Sequence, residues 1–381
     1  MKRFRLGLIA LVSLIHASAH AQNAYITNVN SNTVSVIDTV TNTVIATIPV
    51  GLNPFGVAVS FDGSKVYFTH VGGVSVIDTV TNTVVATIPV GLSSSCCGGV
   101  AVTPDRSKVY VVNSNANTVS VIDTATNTVI GSPIPVQLDP RGVAVAPDGS
   151  KVYVADEIAF FGGTVSVIDT VTNAVSATIP IGDPPLGGVA VTPDGSKVYV
   201  TQVTTVSVID TVTNTVIATI PVGLIPEGVA VTPDGSKVYV TSIVANTVSA
   251  IDAATNTVIG SAIPIPPLNP VIGASPTSVA VTPDGSKVYV VNANANNVSV
   301  IDTATNTVIG SPIPVGIFPH AFGIFIQPAP RFAGTPGSKN CHGTSVSALA
   351  TEFGGLDAAA AAFGFSSGQA LQDAIRAFCE G

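Results

Sequence analysis

Tryptophan is absent from this chain, methionine occurs once, and charge is scarce: Asp, Glu, Lys and Arg make up only 9% of 381 residues. The charge that exists is mostly acidic, with 14 Lys and Arg against 22 Asp and Glu. No basic stripe is left over once the repeated positions are set aside, which excludes the electrostatic footprint of a DNA or RNA binder. Histidine is equally thin. Beyond the first two dozen residues only His70, His320 and His342 remain, too scattered for a His-rich copper or zinc cluster, so no metal and no cofactor is expected. Neither a Gly-x-Ser-x-Gly elbow nor a phosphate-cradling Gly loop is present. Cys341-His342 has the tail of a haem-attachment motif, but Ser338 stands where that motif needs a cysteine. Long apolar runs are missing too, so no transmembrane segment is expected; Leu6 to Ile15 falls well short of the ~17 residues a spanning helix requires.

That short apolar run follows the basic residues Lys2, Arg3 and Arg5 and precedes Ala19-His20-Ala21, the layout of a secretory signal peptide over residues 1–21. The expected location is therefore periplasmic, secreted or cell-surface. In such a compartment cysteines oxidise. Of the four, Cys341 and Cys379 bracket the C-terminal segment and are expected to form a disulfide, while Cys96 and Cys97 are adjacent and could form a strained vicinal disulfide or stay as thiols.

What the chain has in abundance is itself. The phrase VSVIDTVTNTVIATIPVG starts at Val34 and returns with small changes at Val74, Val119, Val165, Val206, Val248 and Val298, with VAVTPDGSKVYV between copies. A period of roughly 40 to 50 residues is that of a four-stranded propeller blade. Within a unit, β-branched runs alternate with turns: Val57–Val59, Lys65–Thr69, Val74–Ile77 and Thr83–Ile88 read as four strands, joined by Pro-Asp-Gly-Ser-Lys and Asp-Thr-x-Thr-Asn turns. Blades converge on the axis, so the innermost strand needs small residues; VAV centred on Ala58, Ala101, Ala144, Ala190, Ala230 and Ala280 fits, with Phe322-Gly323-Ile324 as the last copy. The chain opens on a second strand at Tyr25 with no inner strand before it. Phe322 to Ile326 is expected to supply it, closing the ring with three strands from the N-terminus and one from the C-terminus.

The fold class is thus all-β, a seven-bladed β-propeller over 22–327, followed by a linker over 328–338 and a small α-helical module over 339–381. In the module Val346, Leu349, Ala350 and Phe353, then Leu371, Ile375 and Phe378, recur at helical spacing, with Ser366 and Gln369 as a capping box for the last helix. Tyr25 to Asn28 (YITN), the KVYVTQ and KVYVTS copies at Lys197 and Lys237, and the recurring VSVIDTxTNTV and GVAVTPDGSKVYV phrases resemble the YVTN family of β-propeller repeats. The resemblance implies a seven-bladed propeller in exported or cell-surface proteins, including surface-layer-like and periplasmic binding proteins. It implies no single catalytic motif.

Differences between blades point to the functional face. The two repeated turn sets share one end of the ring and hardly vary. At the other end, Phe55, Arg141, Glu227 and His320 follow a proline in their blades and ring the channel mouth, with Gly98 and Gly187 at the matching sites of two others. The long segment from Asp156 to Gly163 adds Phe160 and Phe161 as an apolar lip. The expected function is an exported scaffold of the cell envelope that binds a partner protein or small molecule through this ring. The alternative is a lactonase-like propeller hydrolase or a cofactor-carrying accessory protein, for which the ring offers one acid, Glu227.

Overall fold

The computed structural model describes residues 22–90, 98–158, 162–267, 273–328, 345–346, 355–362, 365 and 367–380. Seven antiparallel sheets stand around a channel, six of them ordered by sequence from an inner to an outer strand and the first taking its inner strand from the far end of the propeller. The innermost strands are the VAV segments, whose residues line the channel. In the third and sixth blades the outer strand is split, as Thr128–Val129 with Ile134–Pro135 and as Thr257–Val258 with Ile263–Pro264. A Gly-Ser pair interrupts pairing there, at Gly131 and Gly260, both with positive φ.

The seven second-strand tyrosines, from Tyr25 to Tyr289, are at most 1% exposed and pack between neighbouring blades. Their hydroxyls explain the repeated face. Tyr110 donates to Asn173 Oδ1 at 2.8 Å, Tyr199 to Asn256 at 3.2 Å and Tyr239 to Asn306 at 2.7 Å, each the last residue of the next blade's Asp-x-x-Thr-Asn turn. The lysine two residues earlier does the same: Lys108 Nζ reaches Thr170 O, Lys151 reaches Thr211 O and Lys237 reaches Thr303 O. Inside the receiving turn, Asp38 Oδ1 accepts the Val40 and Thr41 N–H groups while Asn42 takes φ 54°, and the other copies repeat this. Near-identity of these turns is the signature of a bonding pattern used at one blade boundary after another.

The ring closes as three strands plus one. Asn23–Asn28 pairs with Thr33–Asp38 on one side and with Pro319–His320 on the other, through Asn28↔Pro319 and Thr27↔His320. Further along, Ala24 bridges Ile326 and Tyr25 N–H donates to Phe325 O at 2.8 Å. The register corrects the expected alignment. Opposite the blade tyrosine stands Ala230 in blade six and Ala280 in blade seven, and in blade one that place is taken by Phe325. Ile324-Phe325-Ile326, not Phe322-Gly323-Ile324, is the counterpart of VAV. The two extra residues swing to the neighbouring blade, where Phe322 O and Ile324 O accept from Val57 N–H and Val59 N–H at 2.9 and 2.8 Å. Gly323 adopts φ 122°, and a Cβ there would lie 2.4 Å from Val57 O, so only glycine fits. Blade one has no lysine at the start of its second strand. Gln327 bridges that boundary instead, accepting from Asn23 N–H at 3.0 Å and donating to Gly63 O at 2.8 Å.

In the C-terminal segment, helices Leu356–Ala362 and Gly368–Glu380 pack Ala359, Ala360, Leu371 and Ile375 together with Phe365. The last helix is capped by Ser367 Oγ, which accepts from Ala370 N–H at 3.2 Å, and by Asp357 Oδ1, which accepts from Gly368 N–H at 2.9 Å. Residues 1–21, Cys96, Cys97, Cys341, Ser366 and nearly all of the 328–338 linker lie outside the described residues, and with them the Cys341–Cys379 pairing.

Candidate functional site

At the variable end of the ring the inner strands of blades four to seven are entered through a proline-led bulge. The bulge registers are recorded between Pro140 and Val143, Pro226 and Val229, and Pro276 and Ser278. Crowding between these entries sets the glycines: a Cβ on Gly142 would lie 1.6 Å from Gly187 O, and one on Gly188 would lie 2.2 Å from Glu227 O. Threonines lock several of them. Thr69 Oγ1 accepts from Gly56 N–H at 2.8 Å and donates to Gly98 O at 3.1 Å, so one hydroxyl joins two blades. Thr201 likewise donates to Glu227 O and Thr241 to Thr277 O.

Phe55 and His320 come together. Their rings stack at 4.6 Å between centroids with 25° between planes, and Phe318 tilts against His320 at 5.2 Å. Phe322, which no repeat pattern singles out, joins them at 5.5 Å from Phe55. It then reaches across the opening, because a Cβ on Gly187 of blade five would sit 2.9 Å from Phe322 Cε1. His320 is 6% exposed, and its Nδ1 has no hydrogen-bond partner among the described residues. Burial pulls its pKa down to about 4, so the ring is neutral at physiological pH.

Arg141 and Glu227 lie elsewhere on the same mouth. The Arg141 guanidinium is engaged by two carboxylates, Asp139 Oδ2 at 3.0 Å from Nη2 and Glu157 Oε2 at 2.8 Å from Nε. Both partners are placed by main chain: Asp139 N–H donates to Asn117 Oδ1, and Glu157 N–H to Asp139 O. Glu227 is the opposite case. Its Oε2 is buried with no hydrogen-bond partner among the described residues. Desolvation raises its pKa to about 8, with Arg141 opposing, and the carboxyl is protonated at neutral pH.

The Asp156–Gly163 segment is not a loop at its ends. Lys151–Ile158 and Gly162–Asp169 continue as a paired hairpin, with Glu157 opposite Gly163 and Ile158 opposite Gly162. Asp156 is fully buried and accepts from Ser166 N–H at 3.0 Å and Ser166 Oγ at 2.6 Å. Phe160 and Phe161 lie outside the described residues. Asp156 holds the place of Asn28 and Asn113, which donate to Ser35 and Ser120, as does His70, whose Nε2 lies 2.9 Å from Ser75 Oγ. His70 is buried, and both its ring nitrogens are engaged, by Ser75 Oγ and Val71 O.

Sequence reasoning missed Phe318, Phe322, Asp139 and Glu157. The signal for Phe322 was present in the last copy, where PHAFGIFI stands in place of a Pro-x-Gly-Val-Ala-Val phrase.

Glu227 yields a titration prediction. Its folded pKa lies above the usual 4.5, so the unfolded chain loses its proton first, and stability falls as pH rises from about 4.5 to about 8. Asp156, raised by desolvation to about 6, adds a decline ending near that pH. His320, being lowered, costs stability in the other direction, as pH falls from 6.5 to about 4. Glu227→Gln should match the parent at pH 4.5 and exceed it by ~2 kcal/mol at pH 8, less than full linkage because the residue is partly exposed. Denaturant melts at the two pH values check this; a constant offset would show that the carboxyl is not held neutral.

Comparison with known proteins supports the fold. No family model matches the chain, and no curated protein matches its sequence. Solved structures do match. Hydrazine synthase of Kuenenia stuttgartiensis superposes with a TM-score of 0.67 at 25% identity, over 74% of this chain and 92% of that one. A functionally unknown protein from Desulfotomaculum acetoxidans gives 0.63 at 21%, over 79% and 99%. The dihydro-heme d1 dehydrogenase NirN, in complex with DHE, gives 0.58 at 18%, over 79% and 74%. The chain is a seven-bladed β-propeller of four-stranded antiparallel blades with a small helical C-terminus.

Proposed function

We propose that this protein is an exported β-propeller of the YVTN type whose variable face recognises a partner protein or small molecule. One observation carries the reading: the two ends of the ring are used differently. At the repeated end the Tyr, Lys, Asp and Asn side chains are consumed in bonds within and between blades. At the other end the blades diverge, and the divergent residues include stacked aromatics, an engaged arginine and a buried neutral carboxyl. A scaffold that binds through one end needs one invariant end and one end free to differ. The signal-peptide pattern supports export to the periplasm or cell surface. A binding role sits easily with the propeller likeness to NirN, whose structure contains DHE, but at 18% identity that likeness speaks for the fold alone.

The test compares two variants of the full chain isolated from its native envelope. Phe55→Ser with Arg141→Ser alters the ring; Val171→Ser with Val212→Ser alters two turn tips that are each 86% exposed at the repeated end. The ring variant should lose the bound partner or ligand seen by native mass spectrometry, and the tip variant should keep it. The reverse result would move the binding face to the other end. Lysines of the repeated turns are unsuitable controls, since their removal would break blade boundaries.

A further inference from the structure

Behind the ring lies a cavity of about 250 Å³, running along the propeller axis. Its wall is made of Gly, Ala and Val from the inner strands, with Phe61 and Pro193 toward the repeated end and Phe322 at the mouth. Among its lining residues Ser278 is the sole polar one, and none is charged. Ile324 belongs to the lining and is 58% exposed, a large apolar surface on an innermost strand. The inner strands are sheet edges; in blade two Val57 and Val59 N–H are taken by Phe322 O and Ile324 O, and the Val-Ala-Val edges of the other blades have no neighbouring strand on their channel side among the described residues.

We propose that this lumen binds a small, uncharged aromatic compound carrying a single hydrogen-bonding N–H or O–H, admitted past Phe322. The inference rests on the proposed use of the variable face and names the class of ligand. Size comes first: an apolar protein cavity of ~150 Å³ takes up benzene, so about 250 Å³ suits a one- or two-ring compound. Polarity comes second. An apolar wall with scattered main-chain groups rewards a ring that can make one or two hydrogen bonds, and gives an ion no counter-charge. The mouth disfavours an anion, since Arg141 is more than offset by Asp139 and Glu157, one positive charge against two negative, while His320 and Glu227 are neutral, so no free positive charge is left there among the described residues. The entrance is aromatic: Phe55 and Phe322 are half-buried and stack at 5.5 Å, backed by the buried His320, so their uncovered surface can meet a flat ring. Phe322 itself is mounted on a two-residue insertion found in this strand alone among the seven inner strands, anchored at its carbonyl by Val57 N–H.

Indole is a suitable probe, because the chain has no tryptophan and indole emission is read without protein background. Titration of the full chain should show saturable binding of one equivalent. Ile324→Asp, which places a charge in the lumen, should weaken it at least tenfold, and Ile324→Phe, which fills space without charge, should weaken it similarly, covering the case in which the first variant misfolds. Phe322→Ala should speed association several-fold. Indole-3-acetate, the same ring with a carboxylate, should bind at least tenfold more weakly than indole. Absence of saturation into the millimolar range, equal affinity for the anion, or unchanged binding in both folded Ile324 variants would overturn the proposal. If indole fails while Phe55→Ser with Arg141→Ser still releases the native ligand, the lumen inference falls and the variable-face reading stands; if indole binds but that variant releases nothing, the reverse holds.

Discussion

Ending the chain after Pro314 should abolish cooperative unfolding and drive the protein into aggregates, whereas ending it after Gln327 should leave the propeller folded. The shorter chain loses Pro319–His320 and the segment through Gln327, and with them the partner of Asn23–Asn28. The main-chain donors Tyr25, Val29, Asn30, Val57 and Val59 lose their acceptors at once. The apolar cluster shared by blades one, two and seven loses Ala321, Phe325 and Ile326, of which Phe325 is fully buried. A ring opened this way exposes a strand edge and two blade faces, the standard template for intermolecular pairing. Sedimentation and a urea melt monitored by circular dichroism distinguish the outcomes; a soluble, cooperative 1–314 fragment would show that closure adds nothing to folding.

Gly142→Ala should be nearly as damaging for a single methyl group. The added Cβ would meet Gly187 O at 1.6 Å and Val189 Cγ2 at 3.2 Å, and the first of these is main chain that cannot rotate away. Blades four and five would have to part. Overpacking of this kind costs ~3 kcal/mol or more. The matching position in blade seven is Ser278, whose Oγ accepts from Ala321 N–H at 3.1 Å; Ser278→Ala should cost only that bond, ~1 kcal/mol. Similar losses for both would mean that the crowding at Gly142 relaxes.

The strands and turns of this protein are legible in its sequence because each blade states them afresh, and a misreading of one copy is corrected by six others. Ring closure was legible for a related reason: Tyr25 begins a second strand with no first. Its register was not. A slip of two residues keeps every side chain on the same face, so alternation cannot tell Phe322-Gly323-Ile324 from Ile324-Phe325-Ile326. The main-chain bonds of Val57 and Tyr25 decide it, and they depend on where the neighbouring blade stands. At the mouth, the sequence marks Phe55, Arg141, Glu227 and His320 as divergent but gives no sign of their state. Arg141 finds Glu157 only because the hairpin extends through Ile158, and the Glu227 carboxyl is neutral only because its surroundings are dry.

The oddity of the closing strand has a consequence for how the chain finds its own fold. Six inner strands carry the same Val-Ala-Val core and lie one turn away from their partners, so an exchange among them would go almost unnoticed by local side-chain matching. The seventh must travel the length of the propeller to meet Tyr25. It carries Phe325 where the others carry alanine, a Phe322-Gly323 insertion that fits only beside Val57, and Gln327, which joins Asn23 to Gly63. These residues work as an address. In a chain of near-duplicates, the strand with the longest journey is the one that cannot be delivered to the wrong blade.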